Sequence, residues 1–253
     1  TYLNIQSNNS KINIELNDHT SFVVIYKSEI NNSEININTK NKTSSISDSR
    51  YNEKLLTGCS TVIDSEINNS FLSSKNCNNE DGLNFIRVHG KKISLDVKDA
   101  LYDGFDADFS NLDFDKIKIN NAGNDCIDIS AGIYNFNTLI LEKCGDKGLS
   151  IGEKSISSIN YINVFNSNIG VASKDLSVAH ISKIISKNVK DCLEIYHKKQ
   201  EYGNGKIYLY DNKDNICEIS KIKNLFILKN DFCIKVNRNY FYSTCLTKKK
   251  NKN

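Results

Sequence analysis

The 253-residue chain contains no methionine, no proline and no tryptophan, and only 12 glycines. It has no apolar run near the roughly 18 residues that a membrane helix needs, so no membrane segment is expected. A large excess of one charge is also missing. The formal net charge of +3 is too small to suggest a nucleic-acid partner, because a dedicated binder usually shows a strongly basic face. The eight cysteines form no CxxC pair and have no histidine at zinc-site spacing, which argues against structural zinc. No glycine-rich loop followed by Lys and Ser or Thr is present to cradle a phosphate. The histidines His19, His89, His180 and His197 are scattered, and each is read as a core or surface residue.

Because the chain lacks Met and begins at Thr1, it is expected to be part of a longer translated product, with further domains and any leader peptide out of view. The heavy use of Asn, Lys, Ile and Ser is of a kind that genome base composition can produce, so it is given no weight as a motif.

What is present is a repeat. Glu80-Asp81-Gly82-Leu83-Asn84-Phe85, Tyr102-Asp103-Gly104-Phe105-Asp106-Ala107, Asn124-Asp125-Cys126-Ile127-Asp128-Ile129 and Asp146-Lys147-Gly148-Leu149-Ser150-Ile151 align with a step of 22 residues. Leu95, Ile117 and Leu139 keep the same step of 22, as do Val97, Ile119 and Leu141. Ile159, Tyr161 and Ile169 suggest a shorter coil of 20, with Leu193 and later Ile234 continuing the first column. Towards the N-terminus, Ile12 and Ile14 recur as Ile35 and Ile37, and Ser28-Glu29-Ile30-Asn31-Asn32-Ser33 recurs 37 residues on, from Ser65.

Each segment alternates apolar and polar residues over a few positions, the period of a strand with one buried face, and Asn, Gly and Asp mark the turns between segments. Strands that recur every 22 residues and stack on their own equivalents predict an all-β, right-handed parallel β-helix. A single domain is expected over residues 1–245, with a loop insertion at 39–53 and a disordered basic tail at 246–253. A solenoid of this length does not need cross-links, so the cysteines are read first as buried free thiols, with disulfides as the alternative.

The informative positions face outward, because packing explains the inward ones. Asn84, Asp106, Asp128 and Ser150 form one outward column, and Asp81, Asp103, Asp125 and Lys147 a second at the strand entrance. With coils about 4.8 Å apart, Asp106, Asp108 and Asp128 should form a triangle of carboxylates. Like charges this close need a neutralising partner, either a hard cation such as Ca²⁺ on those three carboxylates or the lysines Lys147 and Lys174. The structural alternative is that the aspartates only satisfy turn amides.

Gly123-Asn124-Asp125-Cys126-Ile127-Asp128-Ile129 resembles the Gly-Asp-Asp-Cys-Ile-x-Ile segment of polygalacturonase-type glycoside hydrolases. Asp146-Lys147-Gly148-Leu149-Ser150-Ile151-Gly152 and Tyr102-Asp103-Gly104-Phe105-Asp106 resemble two more of their segments. The likeness covers roughly residues 100 to 175 and implies a pectin-lyase-like fold. By resemblance Asp103 and Asp125 would be two catalytic aspartates, but Asn124 holds the third position, Lys147 replaces the histidine, and only Lys174 is left of the substrate clamp. The run from Leu56-Thr57-Gly58-Cys59 to Lys174-Asp175 is also similar to bacterial right-handed β-helix repeat proteins of unassigned function.

The expectation is thus a carbohydrate-interacting β-helix, extracellular or on a cell surface, that holds a polysaccharide, including acidic ones, across the Asp103 to Lys174 region. Asp103, Asp125, Asp128, Lys147 and Lys174 are the candidate catalytic residues, for either hydrolysis or a lyase or epimerase step. Asp106 and Glu153 are expected to contact substrate. The competing expectation is a non-catalytic structural or adhesion module.

Overall fold

The structure, a computed structural model, describes residues 1–17, 21–40, 58–77, 79–210 and 216, together with the backbone of Leu225–Lys229, Phe232–Asn237 and Tyr240–Tyr242. No helix occurs among the described residues. Parallel strands stack in coils about 22 residues apart to give a β-solenoid of about eight turns. Most of the 39–53 insertion and the whole 246–253 tail lie outside the described residues, although Thr39 closes the strand Glu34–Thr39.

Each coil has three faces. The first carries Val23–Tyr26, Gly58–Ile63, Asp81–Ile86, Asp103–Asp108, Ile127–Ser130 and Lys147–Gly152, and ends on the last residues of Ile156–Lys174 and Val178–Tyr196. Its inner column is Leu83, Phe105, Ile127, Leu149, Val171 and Leu193, all buried. Val171, not Ile169, stacks on Leu149, so the step remains 22 and Ile169 pairs with Lys147 instead. On the third face Leu139 pairs with Ile162 and Leu141 with Val164, a step of 23 where 20 was expected. The extra residue enters at the first bend, where Glu153 and Lys154 both take positive φ in place of the single Ala131, so the offset of 23 is already present at Ile133 and Ile156. Ile234 does not continue the column: it pairs with Ile227 in an antiparallel hairpin at the end of the stack.

The N-terminal repeat stacks in the register its sequence suggests. Ile12 and Ile14 lie on Ile35 and Ile37, and Glu29-Ile30-Asn31 lies on Glu66-Ile67-Asn68. Inside, Phe85, Phe105, Phe114 and Phe136 form a continuous aromatic ladder with successive ring centroids 5.1, 5.6 and 5.3 Å apart. Each such buried ring contributes about 1.5–3 kcal/mol of hydrophobic stabilisation.

The corners explain the asparagines that composition alone left without meaning. Most bends hold a residue with positive φ, among them Asn9, Asn32 and Asn69 at the second bend and Asn76, Asp99, Asn121, Asn166 and Asn188 at the third, whereas the second bends at Asp115, Asn137 and Asn160 turn without one. The short polar side chains of Asn and Asp tolerate this left-handed conformation better than other L-residues do. At the first bend the following serine completes the turn. Ser65 Oγ accepts the Ser28 N–H at 3.0 Å and donates to the Ile63 carbonyl at 2.7 Å, while Ser110 does the same for Val88 N and Asp108 O.

The cysteines are cross-linked, contrary to the free-thiol expectation. Cys59 is bonded to Cys77, and Cys126 to Cys144, each pair 18 residues apart in sequence and within one coil. In the intervening coils the same two places are Gly82 with Ala100 and Gly104 with Ala122. The choice follows the neighbouring core residue. A Cβ on Gly82 would come within 2.6 Å of Val97, and one on Gly104 within 2.7 Å of Ile119. Where cysteine stands, the stacked equivalents are the smaller Ser74 and the γ-branched Leu141.

Candidate functional site

Strand alternation on the first face turns Phe105 and Ala107 inward and leaves Asp106 and Asp108 outside. Asp106 pairs in register with Asn84 on one side and Asp128 on the other, and Ser150 follows Asp128. The aspartates fall into two groups. Asp103 Oδ1 accepts the Asp125 backbone N–H at 2.8 Å and the Asn124 amide at 2.8 Å, and Asp125 Oδ1 accepts the Lys147 backbone N–H at 3.0 Å. This entrance column caps the turns, as its structural alternative requires. Asp106, Asp108 and Asp128 sit mid-strand, where the backbone bonds already run between coils.

Lysine supplies the counter-charge. Lys174 is 5% exposed, and its ammonium donates to Ser150 Oγ at 2.8 Å and reaches the two Asp128 oxygens at 3.3 and 3.4 Å. Gly152 makes this possible: its bare Cα leaves the channel along which the Lys174 side chain runs. Lys147 pairs with Asp125 at 3.3 Å and with Asp146. Glu153, at the left-handed first bend, is ion-paired with Lys199.

Burial raises the Asp106 carboxyl well above its usual range, reinforced by Asp81, Asp108, Asp128 and Asp103. Burial, with Glu153 and Asp128 next in weight, lifts Asp108 to about 6. Burial and then Asp128 lift Asp125 to about 7 against the pull of Lys147. Asp103 moves the same way, chiefly through burial. For Lys147 and Lys174 burial disfavours the charge, but Asp125 with Asp146 and Tyr196 at Lys147, and Asp128 with Tyr196 and Asp125 at Lys174, together outweigh it, so both stay protonated.

The structure thus brings Asp103, Asp106, Asp108, Asp125, Asp128, Lys147 and Lys174 into one electrostatic cluster and sets Glu153 at its rim. Among the described residues no group of three or more His, Cys, Asp or Glu side chains is gathered as a metal ligand set. With Lys174 already on Asp128, the residues as placed suit a lysine counter-ion better than Ca²⁺. Residues not counted among the catalytic, substrate or metal candidates also take part, notably Ser150 and Gly152 under Lys174, and Asn124 on Asp103. Column counting points to the second of these, since Gly152 and Lys174 are 22 residues apart.

The fold defines a class, the parallel β-solenoids. No family model, curated protein or solved structure matches the chain, so the likeness to polygalacturonase-type hydrolases rests on the residues quoted above.

Proposed function

We propose that this solenoid binds carbohydrate along the outer side of its first face, with Asp106, Asp108 and Glu153 contacting the sugar chain and Lys174 holding Asp128 in place. The observation that carries the proposal is the division of the aspartates: the Asp103 and Asp125 carboxylates are engaged by turn amides, whereas those of Asp106 and Asp108 are not and lie on the same face as the buried Lys174 and Ser150. A long face of stacked strands suits an extended polymer.

For chemistry, hydrolysis is favoured over the lyase or epimerase route. A carboxyl raised to about 6, as at Asp108, is partly protonated near neutrality and suits a general acid. A lyase base would need a lysine with a lowered pKa, and Lys147 and Lys174 are both raised. The non-catalytic module is the second reading, favoured by the amide-bound Asp103 and Asp125. The disulfides Cys59–Cys77 and Cys126–Cys144 support an oxidising location, outside the cell or on its surface.

The test is calorimetric titration of Ca²⁺ and of a panel of neutral and acidic polysaccharides, on the wild type and on Asp106→Asn with Asp108→Asn. Sugar binding that the double substitution abolishes supports the first-face site, and release of reducing ends or of unsaturated products then separates the two chemistries. Absence of binding to the whole panel at millimolar concentration overturns the carbohydrate reading in favour of the structural module. Calcium binding lost in the same variant would restore the metal expectation at Asp106, Asp108 and Asp128.

A further inference from the structure

A groove runs along the solenoid at the bend between the second and third faces, away from the aspartate cluster. Two stretches of it enclose about 620 and 740 Å³ and share Asp115, so they form one cleft. The first stretch begins at Asn9 and passes Asn32 and Asn69, and the second passes Asn137 and Asn160 to Tyr210. Every coil contributes to its wall. With nine stacked positions about 4.8 Å apart, the cleft is roughly 38 Å long.

Its chemistry differs from that of the first face. Side-chain amides and hydroxyls share the walls with apolar surface in the second stretch, and the charges nearly balance: Lys11 and Lys92 stand against Glu34, Asp113 and Asp115. Lys11 and Glu34 neutralise each other at 2.7 Å. His180, at the far end, has its pKa lowered by burial. The amides bond to one another along the axis, Asn69 to Asn32 at 2.6 Å and Asn160 to Asn137 at 3.0 Å. Each such bond uses one N–H of a two-donor amide, which leaves donor and acceptor capacity turned to the cleft. Tyr210, 44% exposed, closes the wall at the C-terminal end.

We infer that this cleft is a binding site for an extended, uncharged polysaccharide. Amide or hydroxyl side chains line it in every coil but the fifth, which presents Asp113 and Asp115, and at a spacing close to the length of one pyranose unit they stand in step with the hydroxyls of a linear glycan. The near-neutral walls offer nothing to a polyanion. The site is separate from the first face and stands whether or not that face holds sugar.

The experiment is calorimetric titration with linear neutral β-glucan oligosaccharides of increasing length, beside an oligogalacturonate of equal length. It uses the wild type, Asn137→Arg, which fills the cleft from an exposed position, and Asp108→Asn, which alters only the first face. Circular dichroism confirms that each variant is folded. The expected result is affinity for the neutral oligosaccharide that rises with length, falls about ten-fold or more in Asn137→Arg, and is unchanged in Asp108→Asn. No binding of the neutral series, tighter binding of the oligogalacturonate, or loss confined to Asp108→Asn would each overturn the inference. The last of these would leave the first-face proposal standing.

Discussion

The Lys174 side chain occupies the space above Gly152, with its Cε 2.9 Å from where a Gly152 Cβ would stand. This one missing carbon allows a cation from one coil to serve the Ser150 hydroxyl and the Asp128 carboxylate of the two coils before it.

Removing that cation should expose the repulsion it offsets. Lys174→Met is expected to cost about 2 kcal/mol of stability near pH 8, above the Asp108 and Asp125 values of about 6 and about 7, and clearly less near pH 5, where both carboxyls hold their protons. Urea unfolding at the two pH values checks this. An equal loss at both would mean that Lys174 acts only through packing.

Stability of the wild type should itself fall as pH rises from about 4 to about 7. Asp108 and Asp125 keep their protons up to about 6 and about 7 in the folded chain, against an ordinary 3.8, so in that window the folded state binds more protons than the unfolded one. Asp103 and Asp106 act in the same direction, whereas His180, lowered from 6.5, opposes them just below its ordinary value. Urea midpoints measured across pH should show the decline levelling off above about 7, and Asp106→Asn with Asp108→Asn should flatten it.

The Cys59–Cys77 and Cys126–Cys144 disulfides and the Gly–Ala pairs should obey the same steric rule. Reducing either bridge is expected to cost about 2–3 kcal/mol, given loops of this size. Introducing Gly104→Cys with Ala122→Cys should yield free thiols on titration, because Ile119 fills the space. Adding Ile119→Leu, which copies the Cys126, Leu141 and Cys144 set, should let the bridge form.

Phe109 has φ of 52° and is 57% exposed, so it bears the cost of a left-handed backbone with little burial in return. Phe109→Asn is expected to raise stability by about 1 kcal/mol, measured by thermal or urea unfolding.

The inward columns were legible because Leu83, Phe105, Ile127 and Leu149 repeat at one step and packing permits little else there. The phase at Ile159 was not, since the extra residue lies upstream at the Glu153-Lys154 bend, where the apolar pattern does not mark it. Disulfides stood only as the alternative because no cysteines are closely spaced, whereas the bonded partners lie 18 residues apart within one coil. Their signal was an 18-residue spacing that occurs twice, with glycine and alanine in the corresponding places between. Among the aspartates, position separated the columns but gave no sign that Asp103 and Asp125 bind backbone amides. That depends on the turn conformation at Asn124 and Asp146.

Because each coil turns through its own bend residues and stacks on its neighbours in register, the coil behaves as a unit of inheritance. Whole turns can be copied or lost with the columns still aligned, and the 37 residues between the matching serines Ser28 and Ser65 show that added sequence is tolerated when it enters between strands. A single residue inserted within a strand has no such tolerance, since it would turn every later core side chain of that strand out into water.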